Sequence, residues 1–155
     1  MKELKILNSR EVKAIMKKLD EQFGITCTLD YALLMDQHKK IWLIHKDVNL
    51  IDFEQLRINS MGLYFAEINK YEEIRLTIEG SQLVGKFATK NVVVLEAENV
   101  KKYFKGEDVP ISLDVSGSPF LLLKFGSDFF GCAKYKEGVL LNYLPKVHRT
   151  QELIV

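Results

Sequence analysis

The sequence predicts an α+β fold in which an N-terminal α+β lobe, residues 1–85, packs on a small C-terminal β-barrel, residues 86–155. Three observations carry this expectation. One amphipathic helix opens the chain, with Val12, Ile15, Met16, Leu19 and Phe23 repeating at three- and four-residue steps. Short apolar runs broken by polar turns then replace the helical period. Beyond residue 111, three strand-like runs follow one another within about 30 residues, joined by tight turns, a spacing that suits a small sheet curling into a barrel.

The opening helix is expected over residues 9–23. Asn8 can cap it, Glu11 can reach back as the second half of a capping box, and Gly24 supplies the left-handed residue that stops it. Runs at 31–35 and 41–44, separated by the polar Asp36-Gln37-His38-Lys39-Lys40, read as a hairpin with a five-residue connection. A short helix over 50–56, strands over 61–68 and 74–78, and one or two helical turns over 79–85 complete the first half.

In the second half a buried strand over 92–95 precedes a short helix over 97–105, which turns Val100, Tyr103 and Phe104 inward and stops at Gly106. Strands over 120–125, 129–135 and 139–144 alternate with the turn signals Gly117-Ser118-Pro119, Gly126-Ser127-Asp128 and Lys136-Glu137-Gly138. The halves are expected to meet over residues 77–90.

Composition narrows the functional classes. An apolar fraction of 47% with 28% charged residues describes a globular chain and argues against disorder, collagen and coiled coil. The longest apolar runs, 92–95 and 120–123, fall far short of the roughly 18–20 residues that cross a bilayer, so no membrane partner is expected. The first residues, Met1-Lys2-Glu3-Leu4-Lys5, hold no apolar core of a secretory signal, so a cytoplasmic protein is expected, nucleolar in a eukaryotic source. Cys27 and Cys132 match no zinc or redox spacing and read as two buried free thiols. The net charge of +1 gives no gross attraction to nucleic acid, but residues 130–150 are locally basic, with Lys134, Lys136, Lys146 and Arg149 against Glu137 alone.

The block from Asn91 to Val109, with its strand, its short amphipathic helix and its Lys105-Gly106 pair, resembles the opening of PUA domains, the RNA-binding modules named after pseudouridine synthase and archaeosine transglycosylase. The resemblance implies a PUA-type barrel at residues 86–155. The remaining chain, through residues 41–46, 62–67, 73–78 and 129–133, resembles the Nip-seven ribosome-biogenesis family, in which an α+β lobe precedes a PUA domain. Lys146 and Arg149 are also similar to the ends of PUA-like domains attached to RNA cytosine methyltransferases. These likenesses imply a non-catalytic accessory protein that binds RNA, ribosomal first and transfer RNA second. They also imply a protein partner on the N-terminal lobe, with no cofactor, metal or small-molecule substrate.

On that reading Lys134, Lys136, Lys146 and Arg149 form a phosphate track, and Tyr135 and Tyr143 offer stacking faces. Lys86 and Lys90 join them from the lobe junction, and Lys105 and Gly106 from the helix end, where the missing Cβ lets a nucleic-acid backbone approach. The plainer alternative is a solvated strand face and tail. Two rivals stay open: a protein-interaction module with weak RNA contact, and a small enzyme with a carboxylate or histidine site in the N-terminal lobe, where His38, His45, Asp30, Asp36, Asp47 and Asp52 lie; His148, the third histidine, falls in the second half. A deep cleft joining two perturbed titratable groups would favour the enzyme. No glycine-rich phosphate loop is present.

Overall fold

The computed structural model describes residues 4–46, 62–146 and 149. The helix expected over 50–56 lies outside the described residues, as do Asp47, Asp52 and His148. The described residues form two five-stranded sheets. Strand β1 (Leu4–Ile6), helix α1 (Ser9–Phe23) and strands β2 (Ala32–Asp36), β3 (Lys40–Ile44), β4 (Leu63–Ile68) and β5 (Ile74–Leu76) make the first half. Its strands lie in sequence order and are antiparallel throughout.

Helix α1 has the boundaries its residues dictate. The Asn8 side chain accepts from the Glu11 amide at 2.9 Å, and the Glu11 carboxylate accepts from the Asn8 amide at 3.1 Å. Gly24, at φ 66°, donates to Asp20 O at 2.8 Å and ends the helix. The hairpin strands run one residue further than expected. Asp36 is drawn into the turn side of β2 because its Oδ1 accepts from the amides of both His38 and Lys40 at 2.9 Å.

The expected strand over 74–78 ends early, at Leu76, because Thr77 becomes a helix cap. Its hydroxyl accepts from the Gly80 amide at 3.0 Å and lies 2.6 Å from Tyr64 O, and helix α2 (Ile78–Val84) begins there. A single 3-10 turn, Gly85–Phe87, follows.

The second half contains β6 (Val92–Val94), α3 (Ala97–Phe104), β7 (Val109–Pro110), β8 (Phe120–Phe125), β9 (Asp128–Lys136) and β10 (Val139–Leu140). Their order across the sheet is β6-β8-β9-β10-β7, so β6 and β7 are the two edges and the sheet is an open half-barrel where a barrel was expected. Strand β6 runs parallel to β8, which requires a crossover, and α3 begins that connection. Strand β10 ends at Leu140, although a strand to 144 was expected, and one last ladder bond runs from the Leu141 amide to Lys134 O at 2.9 Å. Asn142 takes over: its Nδ2 donates to Tyr103 O at 2.7 Å and Glu107 O at 2.9 Å, and its amide donates to Asp108 at 2.8 Å. A side-chain clamp therefore replaces ladder bonds, a substitution open to Asn because it carries both donors and an acceptor.

The main hydrophobic cluster draws on both sheets, joining Leu19, Phe23, Leu33, Phe65 and Leu76 to Phe120, Leu122 and Cys132. A second cluster packs α3, through Val100 and Tyr103, onto Leu121, Leu123, Phe130 and Tyr135. No described helix is long and apolar enough to cross a membrane.

Candidate nucleic-acid interface

Helix α3 carries Lys101 and Lys102 in its last turn and ends at Lys105, so three cations gather where its unpaired carbonyls accumulate partial negative charge. Gly106, at φ 89°, turns the chain away, and its amide donates to Tyr103 O at 3.0 Å. Across Gly106 lies Arg149. A Cβ at Gly106 would stand 2.6 Å from Arg149 Cδ and 2.8 Å from its Nε. Gly106 was expected to leave room for a nucleic-acid backbone; that space is filled by the Arg149 side chain, which is fixed by a 3.1 Å bond from Nε to Leu144 O. The exposed Lys146 adjoins it, its carbonyl accepting from the Arg149 amide at 3.1 Å. Lys105, Gly106, Lys146 and Arg149 thus form one site, to which Lys101 and Lys102 add charge.

Six of the expected contacts do not join this site, and two of those, Lys134 and Tyr135, are engaged inside the protein. Lys134 donates to the Glu73 carboxylate at 2.8 Å with its side chain only 19% exposed, and its Nζ lies 4.8 Å from the centre of the Phe120 ring. It is a bolt between the halves and no part of a phosphate track. Tyr135 is 7% exposed; its hydroxyl donates to Ile111 O at 2.8 Å and accepts from the Leu113 amide at 3.0 Å, so it offers no stacking face. Tyr143 is half-buried, with the Phe120 ring edge-on at 5.7 Å and the Arg75 guanidinium 5.2 Å from its centroid. Lys136 is exposed at the β9–β10 turn, where β7 pairs with β10 at the end away from Gly106.

Lys86 and Lys90 lie elsewhere again. With Lys124, Asn91, Ser127 and Phe129 they line a groove of about 410 Å³ beside the edge strand β6. Lys124 was not singled out from the sequence, because nothing local distinguishes a single lysine at the end of an apolar strand. Lys101 and Lys102 did carry a signal, two lysines in the last turn of an expected helix.

Charge pairing differs between the halves. Lys5, Lys17, Lys18, Lys39, Lys46 and Arg75 each meet a carboxylate within 4.0 Å. Among the described residues Arg10, Lys13, Lys40 and Lys70 of the first half have no such partner, and in the second half Lys86, Lys90, Lys101, Lys102, Lys105, Lys124, Lys136 and Lys146 have none. The second half holds ten Lys and Arg against eight Asp and Glu, and most of its cations are available to an outside anion.

A cavity of about 430 Å³ lies between the sheets, lined by Tyr64, Arg75, Thr77, Tyr103, Cys132 and Tyr143. Burial pushes the Tyr64 hydroxyl up to about 12, assisted by the Glu67 charge. Burial likewise raises Tyr103 and lifts the Cys132 thiol to about 12. All three stay protonated at neutral pH, the opposite of what a nucleophile or general base needs. Cys27, expected to be buried like Cys132, is only half-buried, and its thiol is also raised by burial. Asp30 pairs with Lys46 at 2.8 Å, and His38 is exposed on the β2–β3 turn. The described residues contain no group of three or more His, Cys, Asp or Glu placed to hold a metal.

The fold of the chain is PUA-like. The chain matches a family described as the methyltransferase RsmF PUA domain over residues 90–150. It is 24% identical over 140 residues to the ribosomal RNA small subunit methyltransferase F of Aeromonas salmonicida (strain A449), covering 90% of this chain and 28% of that protein. The same-named protein of Shewanella sp. (strain MR-4) is 24% identical over 145 residues, covering 90% and 29%. The chain therefore spans less than a third of the length of these relatives. Among solved structures it is similar to a PUA domain from Aeropyrum pernix K1, crystallised as a tartrate complex, with a TM-score of 0.53 and 13% identity over 90% of this chain and 74% of that one.

Proposed function

We propose that this chain binds structured RNA without catalysing a reaction on it, holding phosphates at the end of α3 and offering its first sheet to a protein partner. The observation that carries this reading is the convergence of Lys101, Lys102, Lys105, Lys146 and Arg149 on one glycine turn, with no carboxylate partner for any of the four lysines among the described residues. Support for ribosomal RNA comes from the names of the two methyltransferase relatives. Those names favour the small-subunit RNA within the ribosomal class that the Nip-seven likeness suggests. They also favour a role beside or within an RNA-modifying enzyme.

The test replaces Lys146 and Arg149 together by alanine and titrates a labelled stem-loop of small-subunit ribosomal RNA against salt. Both residues are exposed, so the fold should survive, although loss of the Arg149 bond to Leu144 O costs about 0.5–1.5 kcal/mol. If each meets one phosphate, the logarithmic salt slope falls by roughly 1.4–1.8. The loss should be nearly uniform across RNA sequences, because phosphate contacts do not read bases. Absence of salt-dependent RNA binding by the wild-type chain defeats the proposal.

A further inference from the structure

We infer that the groove at the edge of β6 is a second phosphate-binding surface for the same RNA, built by Lys86, Lys90 and Lys124 with Phe87 as an exposed ring beside it. This rests on the RNA-binding reading above.

The groove is concave, about 410 Å³, and its lining besides the three lysines includes Asn91, Ser127 and Phe129 together with residues 88, 89 and 92. Three cations facing one concavity focus potential on whatever enters it. None of the three meets a carboxylate among the described residues. Asp128, the nearest acid along the chain, is exposed at the start of β9 and does not line the groove. The local net charge is therefore positive, and an anion with repeated charges fits it better than a single carboxylate would.

The backbone that presents these lysines is held at every step. Ala88 N donates to Gly85 O at 2.9 Å, and the amides of Thr89 and Lys90 both donate to Phe23 O, at 2.8 and 3.2 Å. The Asn91 side chain donates to Gln22 O at 2.6 Å, and Asn91 O accepts from the Leu122 amide at 2.8 Å. Gly85 seats the 3-10 turn against Phe129, whose ring a Cβ would meet at 2.5 Å. A surface fixed in this way loses little backbone freedom on binding, which is what separates a built site from a loop that happens to be basic.

The aromatic component points to nucleic acid over an acidic protein. Phe87 is 43% exposed, and Lys86 Nζ stands 5.2 Å from its centroid; Lys124 Nζ stands 5.2 Å from the Phe129 ring. Cations held beside rings, one of them open, match the pairing of phosphate contact with base stacking used in single-stranded recognition. The groove adjoins edge strand β6, whereas Gly106 leads into the opposite edge strand β7, so the two surfaces flank the half-barrel and together lengthen the footprint.

The experiment uses the full chain and the same stem-loop RNA extended by a single-stranded tail. The triple variant K86A/K90A/K124A should lower the logarithmic salt slope by roughly 2.1–2.7, in addition to the loss seen with the Lys146 and Arg149 pair. F87A should weaken binding about five-fold or more at fixed salt with no change of slope, and F87W should restore it. Should the triple variant lose its fold by circular dichroism, K86A and K90A singly, both at exposed positions, must each lower the slope by about 0.7–0.9. Wild-type affinity and slope in these variants, with RNA binding by the parent intact, overturn the inference and leave the groove to an acidic protein partner. Failure of the parent to bind RNA at all overturns the proposed function itself, so the two failures are distinct.

Discussion

Replacing Gly80 by alanine tests how α2 is seated, and the effect can be worked from contacts. An ideal Cβ at Gly80 would run into the Phe65 carbonyl, with the carbonyl carbon at 3.1 Å and Leu76 Cδ2 at 3.3 Å. Phe65 belongs to β4, which is paired on both sides, so the obstructing group cannot retreat without disturbing two ladders. Overpacking of a buried site costs about 1–3 kcal/mol, and a backbone obstacle puts this one near the upper end. Alanine in place of glycine gains about 0.8–1.0 kcal/mol of helix propensity, because the unfolded chain has less freedom to lose. The net expectation is a destabilisation of about 2 kcal/mol, or roughly 4–8 °C in Tm for a chain of this size. Thermal and urea unfolding would measure it, with Gln82→Ala as a control on the exposed side of the same helix, expected to stay within about 0.5 kcal/mol. A Gly80→Ala variant as stable as the wild type, or more so, would show that α2 is not pressed against β4 as described.

Two further expectations follow from titratable groups. Burial alone would raise the Glu73 carboxyl, but the hydrogen bonds from Lys134 and Asn69 and the Lys134 charge outweigh it and hold it below its ordinary value of 4.5. The native state therefore binds this proton later than the unfolded chain on acidification, and the stabilisation is present above that ordinary value and lost as pH falls through the lowered one. Glu73→Gln should cost on the order of 1 kcal/mol at pH 7, and urea unfolding should show the difference from wild type shrinking below about pH 4. A difference that grows in acid would contradict the assignment. Cys132, buried and with its thiol raised to about 12, should resist a thiol reagent at pH 8 in the native state and react at once in denaturant, whereas half-buried Cys27 should react natively at a slow rate. Native labelling of both thiols at equal speed would refute the described burial.

What was legible in the sequence was local. Asn8, Glu11 and Gly24 announce α1 because a capping box and a left-handed stop each act through bonds between residues three or four positions apart. Gly106 was recognisable as a helix terminator for the same reason. The three-residue β1 was missed, since Leu4 and Ile6 flank a lysine and only its pairing with β2 makes it a strand. The candidate site divided along the same line. Lys105, Gly106, Lys146 and Arg149 were named from the sequence, but that Arg149 fills the space over Gly106 depends on residues 43 positions apart. Lys134 and Tyr135 were read as surface chemistry because their true partners, Glu73, Ile111 and Leu113, are 22 to 61 positions away.

The segment that matches the methyltransferase PUA family begins at residue 90, but its packing does not. The carbonyls of Gln22, Phe23 and Gly24 at the end of α1 are all satisfied from residues 89–91, and Phe120, Leu122 and Cys132 share a cluster with Leu19 and Phe23. A cut at residue 90 would bare those carbonyls on one side and an apolar sheet face on the other. The smallest autonomous unit therefore extends back through α1, and a fragment trimmed to the recognisable module would inherit the lysines without the scaffold that aims them.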